Sequence, residues 1–182
     1  GEGGMAAIIG LDDDQVREVC ASAAQGDVLQ AVNFNAPGQV VIAGSAAAIE
    51  RALVMMKEAG ARRALPLPVS IPAHSSLMSS ASARLAERIS SIDITVPEIP
   101  VIHNYSVTVA KDAAEIASNL VSQLDSPVRW VESVQAMHAQ GVDQFIESGP
   151  GRVLGGMIKR IVSGVEIASI EKADAYEALI QA

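Results

Sequence analysis

The chain has a single cysteine, Cys20, in 182 residues, so it can form no disulfide framework. A reducing cytoplasm is therefore the expected setting. Aromatic residues amount to 3%, and 13 basic residues face 21 acidic ones, a net charge of −8. Nucleic acid is not expected as a partner: there is no basic excess to neutralise phosphates and there are few rings on which bases could stack. No apolar run approaches the roughly 20 residues that span a bilayer. Residues Gly1 to Gly4 carry no basic region ahead of an apolar stretch, so neither a membrane span nor a secretory leader is expected. The chain also opens without an initiator Met, and a longer parent polypeptide is expected. CxxC, HExxH and GxxxxGK[ST] patterns are absent and His74, His103 and His138 lie far apart, so no metal site is expected.

What the chain does have is apolar mass: 49% hydrophobic residues, 19% charged residues and a mean hydropathy of +0.29, a composition that folds rather than remaining disordered. The first part reads in a clear order. Met5–Leu11 is a strand. Val16, Val19, Cys20 and Ala23 have helical spacing behind Asp12, a cap with Gln15 three residues on. Val28–Phe34 and Gln39–Ala43 flank the Pro37-Gly38 turn as a hairpin. Ser45 opens a second helix that Gly60 closes, and Ala61–Leu67 is a fourth strand. The order βαββαβ is that of a ferredoxin-like unit over residues 1–68, closed by Pro66 and Pro68.

Residues 69–182 read differently. A helix is expected from Ser75 to Ser90, a strand at Ile99–His103, and a helix from Asp112 to about Leu124 with Glu115 completing a capping pair. Ser126-Pro127 should open the next helix. Phe145–Glu147 and Val165–Ile170 are strands on either side of a helix from Arg152 to Val162. Strands alternating with helices imply a parallel sheet, and the fold class is α/β.

Several residues are candidates for chemistry. His74 lies where the Ser70-Ile71-Pro72-Ala73 loop enters a helix, and the positive end of a helix favours the neutral imidazole that a general base requires. The alternative is a loop histidine that merely caps the helix. No G-x-S-x-G elbow exists to supply a nucleophile, and Cys20 sits on an apolar stripe, where it packs as a small hydrophobe. Asn33 and Asn35 flank the hairpin turn and serve either turn chemistry or substrate contact. His103 and Asn104, at the end of the expected strand, serve a pocket or only the fold. Gly149-Pro150-Gly151 ahead of a helix is either an anion cradle or punctuation. Arg62 and Arg63, and Arg152, Lys159 and Arg160, are the main basic groups in an acidic chain. His138 is expected on the surface.

Five strings, in order, run along essentially the whole chain: GGMAAIIGL (3–11), VNFNAPGQVVIAG (32–44), RALPLPVSIPAHSSLM (63–78), SPVRW (126–130) and ESGPGRVL (147–154). Together they resemble the malonyl-CoA:acyl carrier protein transacylases of bacterial fatty acid synthesis. Acyltransferase domains of polyketide synthases share the plan and fit the strings less closely.

The resemblance implies an α/β-hydrolase-like core with a ferredoxin-like subdomain, residues 69–182 being the C-terminal part of that core. It implies ping-pong transfer of a malonyl group from coenzyme A to the carrier protein through an acyl-serine, with no bound cofactor. The histidine of the family's P-x-H-x-x-x-M string falls on His74, the base. The glutamine of its Q-L-x-x-P string falls on Gln123, whose main-chain carbonyl orients the imidazole. Asn33, Asn35 and Asn104 are the substrate-binding candidates. The family's nucleophile elbow, malonate-gripping arginine and oxyanion hole lie in a part that has no counterpart in these residues. These 182 residues are accordingly expected to be inactive alone, to present a bare apolar face, and to need the missing N-terminal part as partner beside malonyl-CoA and the carrier protein. The other readings are a polyketide synthase acyltransferase domain and a non-catalytic module that docks a carrier protein through Arg62 and Arg63.

Overall fold

A computed structural model describes residues 3–181, with the side chains of Ala175 and residues 178–180 left aside. The chain is mixed α/β and divides into two compact units, residues 1–133 and 134–182. The boundary expected after Pro68 falls inside the first.

In the first unit, β1 (Gly3–Ile9), α1 (Asp13–Ala24), β2 (Leu29–Ala36), β3 (Gln39–Ser45), α2 (Ala46–Glu58) and β4 (Arg63–Pro66) follow in order. The four strands form one antiparallel sheet in the order β2-β3-β1-β4. Alternation along the strands sends Ala6, Ile8, Val40 and Ile42 to one face, where they pack with Val16, Cys20, Ile49 and Met56 of the two helices. Met5, Val32, Val41 and Ala43 form a second cluster on the other face, with Leu67 and Ala73 packed against it. Both faces of β3 are thus covered, which is why its middle reads as an unbroken apolar run.

Local chemistry accounts for the element ends. Asp12 accepts from the Gln15 N–H at 2.8 Å while the Gln15 side chain accepts from the Asp12 N–H at 3.0 Å, a complete capping box. Ser45 occupies the N-cap position of α2, yet its hydroxyl makes no cap bond. Gly60 closes that helix at φ +98°. Gly44 permits the closest approach in the sheet: a Cβ there would lie 2.2 Å from the Val28 carbonyl oxygen.

The rest of the first unit departs from expectation in four places. The helix expected over Ser75–Ser90 is a short 3₁₀ turn, Ser76–Met78, followed by α3 (Ser79–Ile89). Ile99–His103 is not a strand; Pro100 interrupts it, and only an isolated bridge from Ile102 to Val109 remains. Ser126-Pro127 does not open a helix. Val128 instead bridges to Asn33 on the edge strand β2, and the next helix starts only at Trp130. Asp112 caps α4 (Ala113–Ser122) through the Glu115 N–H, but the Glu115 carboxylate accepts from Lys111 rather than closing a box with Asp112.

The boundary between the units lies within α5 (Trp130–Ala139). In the second unit, β5 (Gln144–Ser148) and β6 (Glu166–Ile170) pair in parallel, with α6 (Val153–Ile161) as the crossover, and α7 (Ala173–Ile180) follows. Among the described residues the parallel sheet has these two strands only, because the third expected one is absent.

Met56 is fully buried between α2 and the sheet. Met56→Ala should destabilise the protein by about 2–5 kcal/mol in denaturant titration. Gly44→Ala should abolish the β2–β3 pairing, seen as loss of soluble folded chain, because the group it meets is backbone.

Candidate functional site

The C-terminus of α4 leaves carbonyl oxygens with no donor inside the helix. His74 supplies two donors to them. Its main-chain N–H donates to the Leu124 oxygen at 3.0 Å, and its ring Nδ1 lies 2.7 Å from the Gln123 oxygen. A carbonyl oxygen can only accept, so Nδ1 carries a proton, and in the neutral form of such a ring the lone pair is on Nε2. The backbone at His74 is left-handed, φ +64°, a sparsely populated conformation for a residue with a Cβ. Neighbouring contacts hold the bend. Ser75 is fully buried and its hydroxyl donates to the Pro72 oxygen at 2.7 Å; the Ser76 N–H donates to the Gln30 side chain at 2.7 Å. Gly3 of β1 runs so close to Pro72 that a Cβ would meet the ring at 2.7 Å.

The segment from Gln123 to Arg129 links this histidine to the other candidates through main-chain atoms. Val128 donates to the Val32 oxygen at 2.8 Å and accepts from the Phe34 N–H at 3.1 Å, on either side of Asn33. The Arg129 N–H donates to the Asn104 oxygen at 3.0 Å. Asn33 and Asn35 project from β2 on the face opposite the buried Phe34. The side chains of Asn33, Asn35 and Asn104 have no hydrogen-bond partner among the described residues, and no hydrogen bond joins them to His74. His103 is buried, its main chain tied to Thr108 and Val107, and it lines a small cavity of about 20 Å³ with Pro100, Val101, Val109 and Ile116. The expected contact between the His74 ring and the Gln123 carbonyl is present, whereas the ties made by Val128 and Arg129 were not expected, because main-chain pairing carries no side-chain signal.

Cys20 is not a nucleophile: it is 3% exposed, and burial pushes its thiol up to about 12. Among the described residues no group of three metal-ligating side chains is assembled, and no helix is long and apolar enough to cross a membrane.

In the second unit, the turn Gly149-Pro150-Gly151 does not leave an empty anion cradle. The Glu147 carboxylate accepts from the N–H groups of Val153, Leu154 and Gly155 at 2.9, 3.0 and 2.9 Å, so the chain supplies its own anion to the N-terminus of α6. These backbone bonds, from Gly155 foremost, hold the carboxyl below its usual range. Gly155 has to be small, since a Cβ would meet Ile167 at 2.9 Å. Beside the capped end lies an open cleft of about 480 Å³ lined by Glu147, Arg152, Lys159 and Ser169. His138 is exposed, with Nδ1 3.1 Å from the Val142 oxygen.

The lowered Glu147 value fixes a sign. Its stabilisation is full above the unfolded carboxylate value of about 4.3 and disappears as the pH falls through the lower folded value. In Glu147→Gln this part of the acid-side loss should vanish, and the amides of Val153 to Gly155 should exchange faster at neutral pH; hydrogen exchange against pH reads both.

The acyl transferase domain model matches residues 1–174. The malonyl CoA-acyl carrier protein transacylase of Salmonella typhimurium is 48% identical over 180 residues, covering 99% of this chain and 58% of that protein. A crystal structure of an acyl carrier protein S-malonyltransferase from Vibrio cholerae O1 biovar eltor superposes with a TM-score of 0.95 at 51% identity, over 98% of this chain and 58% of that one. A malonyl-transacylase in complex with its type II PKS acyl-carrier protein superposes with a TM-score of 0.96 at 46% identity, over 100% and 59%. The chain therefore spans just under three-fifths of the length of these relatives. With the family model spanning nearly all of its residues and relatives close to half identical along its length, the chain belongs to the acyl transferase domain family.

Proposed function

We propose that this chain is the base-bearing part of an enzyme that moves a malonyl group from coenzyme A to the phosphopantetheine thiol of acyl carrier protein. The observation that carries the reading is the 2.7 Å bond between His74 Nδ1 and the Gln123 oxygen, which frees Nε2 for proton transfer. The nucleophilic serine comes from polypeptide upstream of these residues, since none of the 182 lies in a G-x-S-x-G elbow. Nε2 takes the serine proton as the hydroxyl oxygen attacks the thioester carbonyl. The resulting imidazolium returns that proton to the departing coenzyme A thiolate, leaving the acyl-serine. In the second half the same nitrogen deprotonates the carrier thiol, which attacks the acyl-serine, and the serine oxygen recovers the proton. Gln123 orients the ring without adding a negative charge. The reaction runs on side chains and the thioester, with no cofactor, and Asn33, Asn35 and Asn104 contact the acyl thioester. The setting is the cytoplasm.

The strand order β2-β3-β1-β4 with both helices on one face supports a ferredoxin-like subdomain over residues 1–68. Residues 69–182 then form the C-terminal part of an α/β-hydrolase-like core. Exposed apolar side chains support a missing complement: Val69, Ile71 and Leu77 around His74, and Ile146, Val153 and Leu154 in the second unit. Residues 1–182 alone have no transferase activity in this reading. The likeness to the transacylase of a polyketide carrier protein favours a second reading, a polyketide pathway acyltransferase, which differs in carrier and acyl preference rather than in chemistry.

In the polypeptide extended upstream to the length of its relatives, His74→Ala should lower transfer to the carrier by about 10²–10⁴-fold; a loss below about tenfold removes His74 from the role of base. Lys159 and Arg160, in the last turn of α6, are proposed as carrier contacts. Reversing both charges should raise KM for the carrier and leave coenzyme A thioester hydrolysis unchanged. An unchanged KM makes them plain surface.

A further inference from the structure

The loop from His103 to Thr108 carries Asn104 and stores strain. Val107 adopts φ +62°, an unfavourable conformation for a β-branched residue. Within the loop, the Val107 N–H donates to the His103 oxygen at 2.9 Å and the His103 N–H to the Thr108 oxygen at 3.1 Å. The Thr108 hydroxyl also donates to the Ser106 hydroxyl at 3.0 Å, and Ile102 bridges to Val109 at the base of the loop; Arg129 adds a hold from a distant part of the chain. Its main-chain N–H donates to the Asn104 oxygen and its Nη1 reaches the Tyr105 oxygen at 3.4 Å.

Arg129 is itself fixed from several sides. Val128 before it is paired to the edge of β2. Its own carbonyl accepts both the N–H and the hydroxyl of Ser133, each at 2.9 Å, and Ser133 is 2% exposed. Its guanidinium is forked onto Glu132, Nε to Oε1 at 2.8 Å and Nη2 to Oε2. The side chains of this pair are 40% and 50% exposed, so it adds little to stability. What it provides is direction: the fork leaves Nη1 turned back toward the loop.

We propose that Arg129 is a positioning residue for substrate binding, setting the place of Asn104 through the 103–108 loop. The inference rests on the reading of Asn104 as a contact for the acyl thioester. Lysine keeps the charge at this position but has no planar fork, so it cannot hold Glu132 with two bonds and the Tyr105 oxygen with a third.

The test uses the enzyme extended upstream, with malonyl-CoA as substrate. Arg129→Lys should raise KM for malonyl-CoA by about tenfold with kcat within about twofold, the pattern of lost ground-state binding. The melting temperature should stay close to that of the unsubstituted enzyme, while the amides of His103 and Val107 exchange faster. Glu132→Gln should move KM in the same direction by less, and the double substitution should be no worse than Arg129→Lys, since both act through one contact. A KM within twofold of the original overturns the proposal. So does an equal loss of kcat and folded protein with KM unmoved, which general loosening would produce. His74→Ala measured alongside separates this inference from the functional reading: loss of kcat there with no KM change in Arg129→Lys overturns the inference alone, and retained kcat in His74→Ala overturns the functional reading.

Discussion

A helix that ends inside a protein leaves carbonyl oxygens that need donors. At the end of α4 one such oxygen belongs to the capping Gln123, and His74 satisfies it with its ring while its main chain donates to Leu124, the residue after the cap. The ring bond sets the tautomer, and the two together fix the residue in place. One residue thus makes both contacts, and they hold its left-handed backbone in place. Weakening either bond would leave a helix end unsatisfied as well as a ring free to turn.

The rest of the first unit supports this contact. The four-stranded sheet buries one face under α1 and α2 and the other under Leu67 and Ala73, so the segment leading to His74 is part of the packing rather than a loose loop. From the helix end, the chain continues through Val128 to the edge of β2 and through Arg129 to Asn104. One short stretch of main chain thereby ties together three stretches distant in sequence. The bridge at Val128 also occupies an edge of β2 that would otherwise stand unpaired.

Much of this was legible in the residues. The capping box at Asp12, the hairpin around Pro37-Gly38, and both helices of the first sheet follow from local patterns that the packing then reinforces. The failures are instructive in physical terms. Ile99–His103 has strand composition, but a strand needs a partner, and only Val109 bridges to it. Ser126-Pro127 has the chemistry of a helix start, but pairing of Val128 with β2 draws the chain into an extended form first. Glycines 149 and 151 have the look of an anion cradle, and the anion proved to be Glu147, six residues before the helix it caps.

The order of side chains by itself determined that a histidine follows Pro72 and Ala73 and that no serine lies in a G-x-S-x-G elbow. It also determined the local elements of residues 3–66, because their signals lie within a few positions of one another. Tertiary structure alone decided what hangs from residues 123–129, the edge of β2 at Val128 and the Asn104 loop at Arg129, since those are main-chain hydrogen bonds. Every residue except proline carries the same N–H and C=O, so nothing in the identity of a side chain announces which of them will meet.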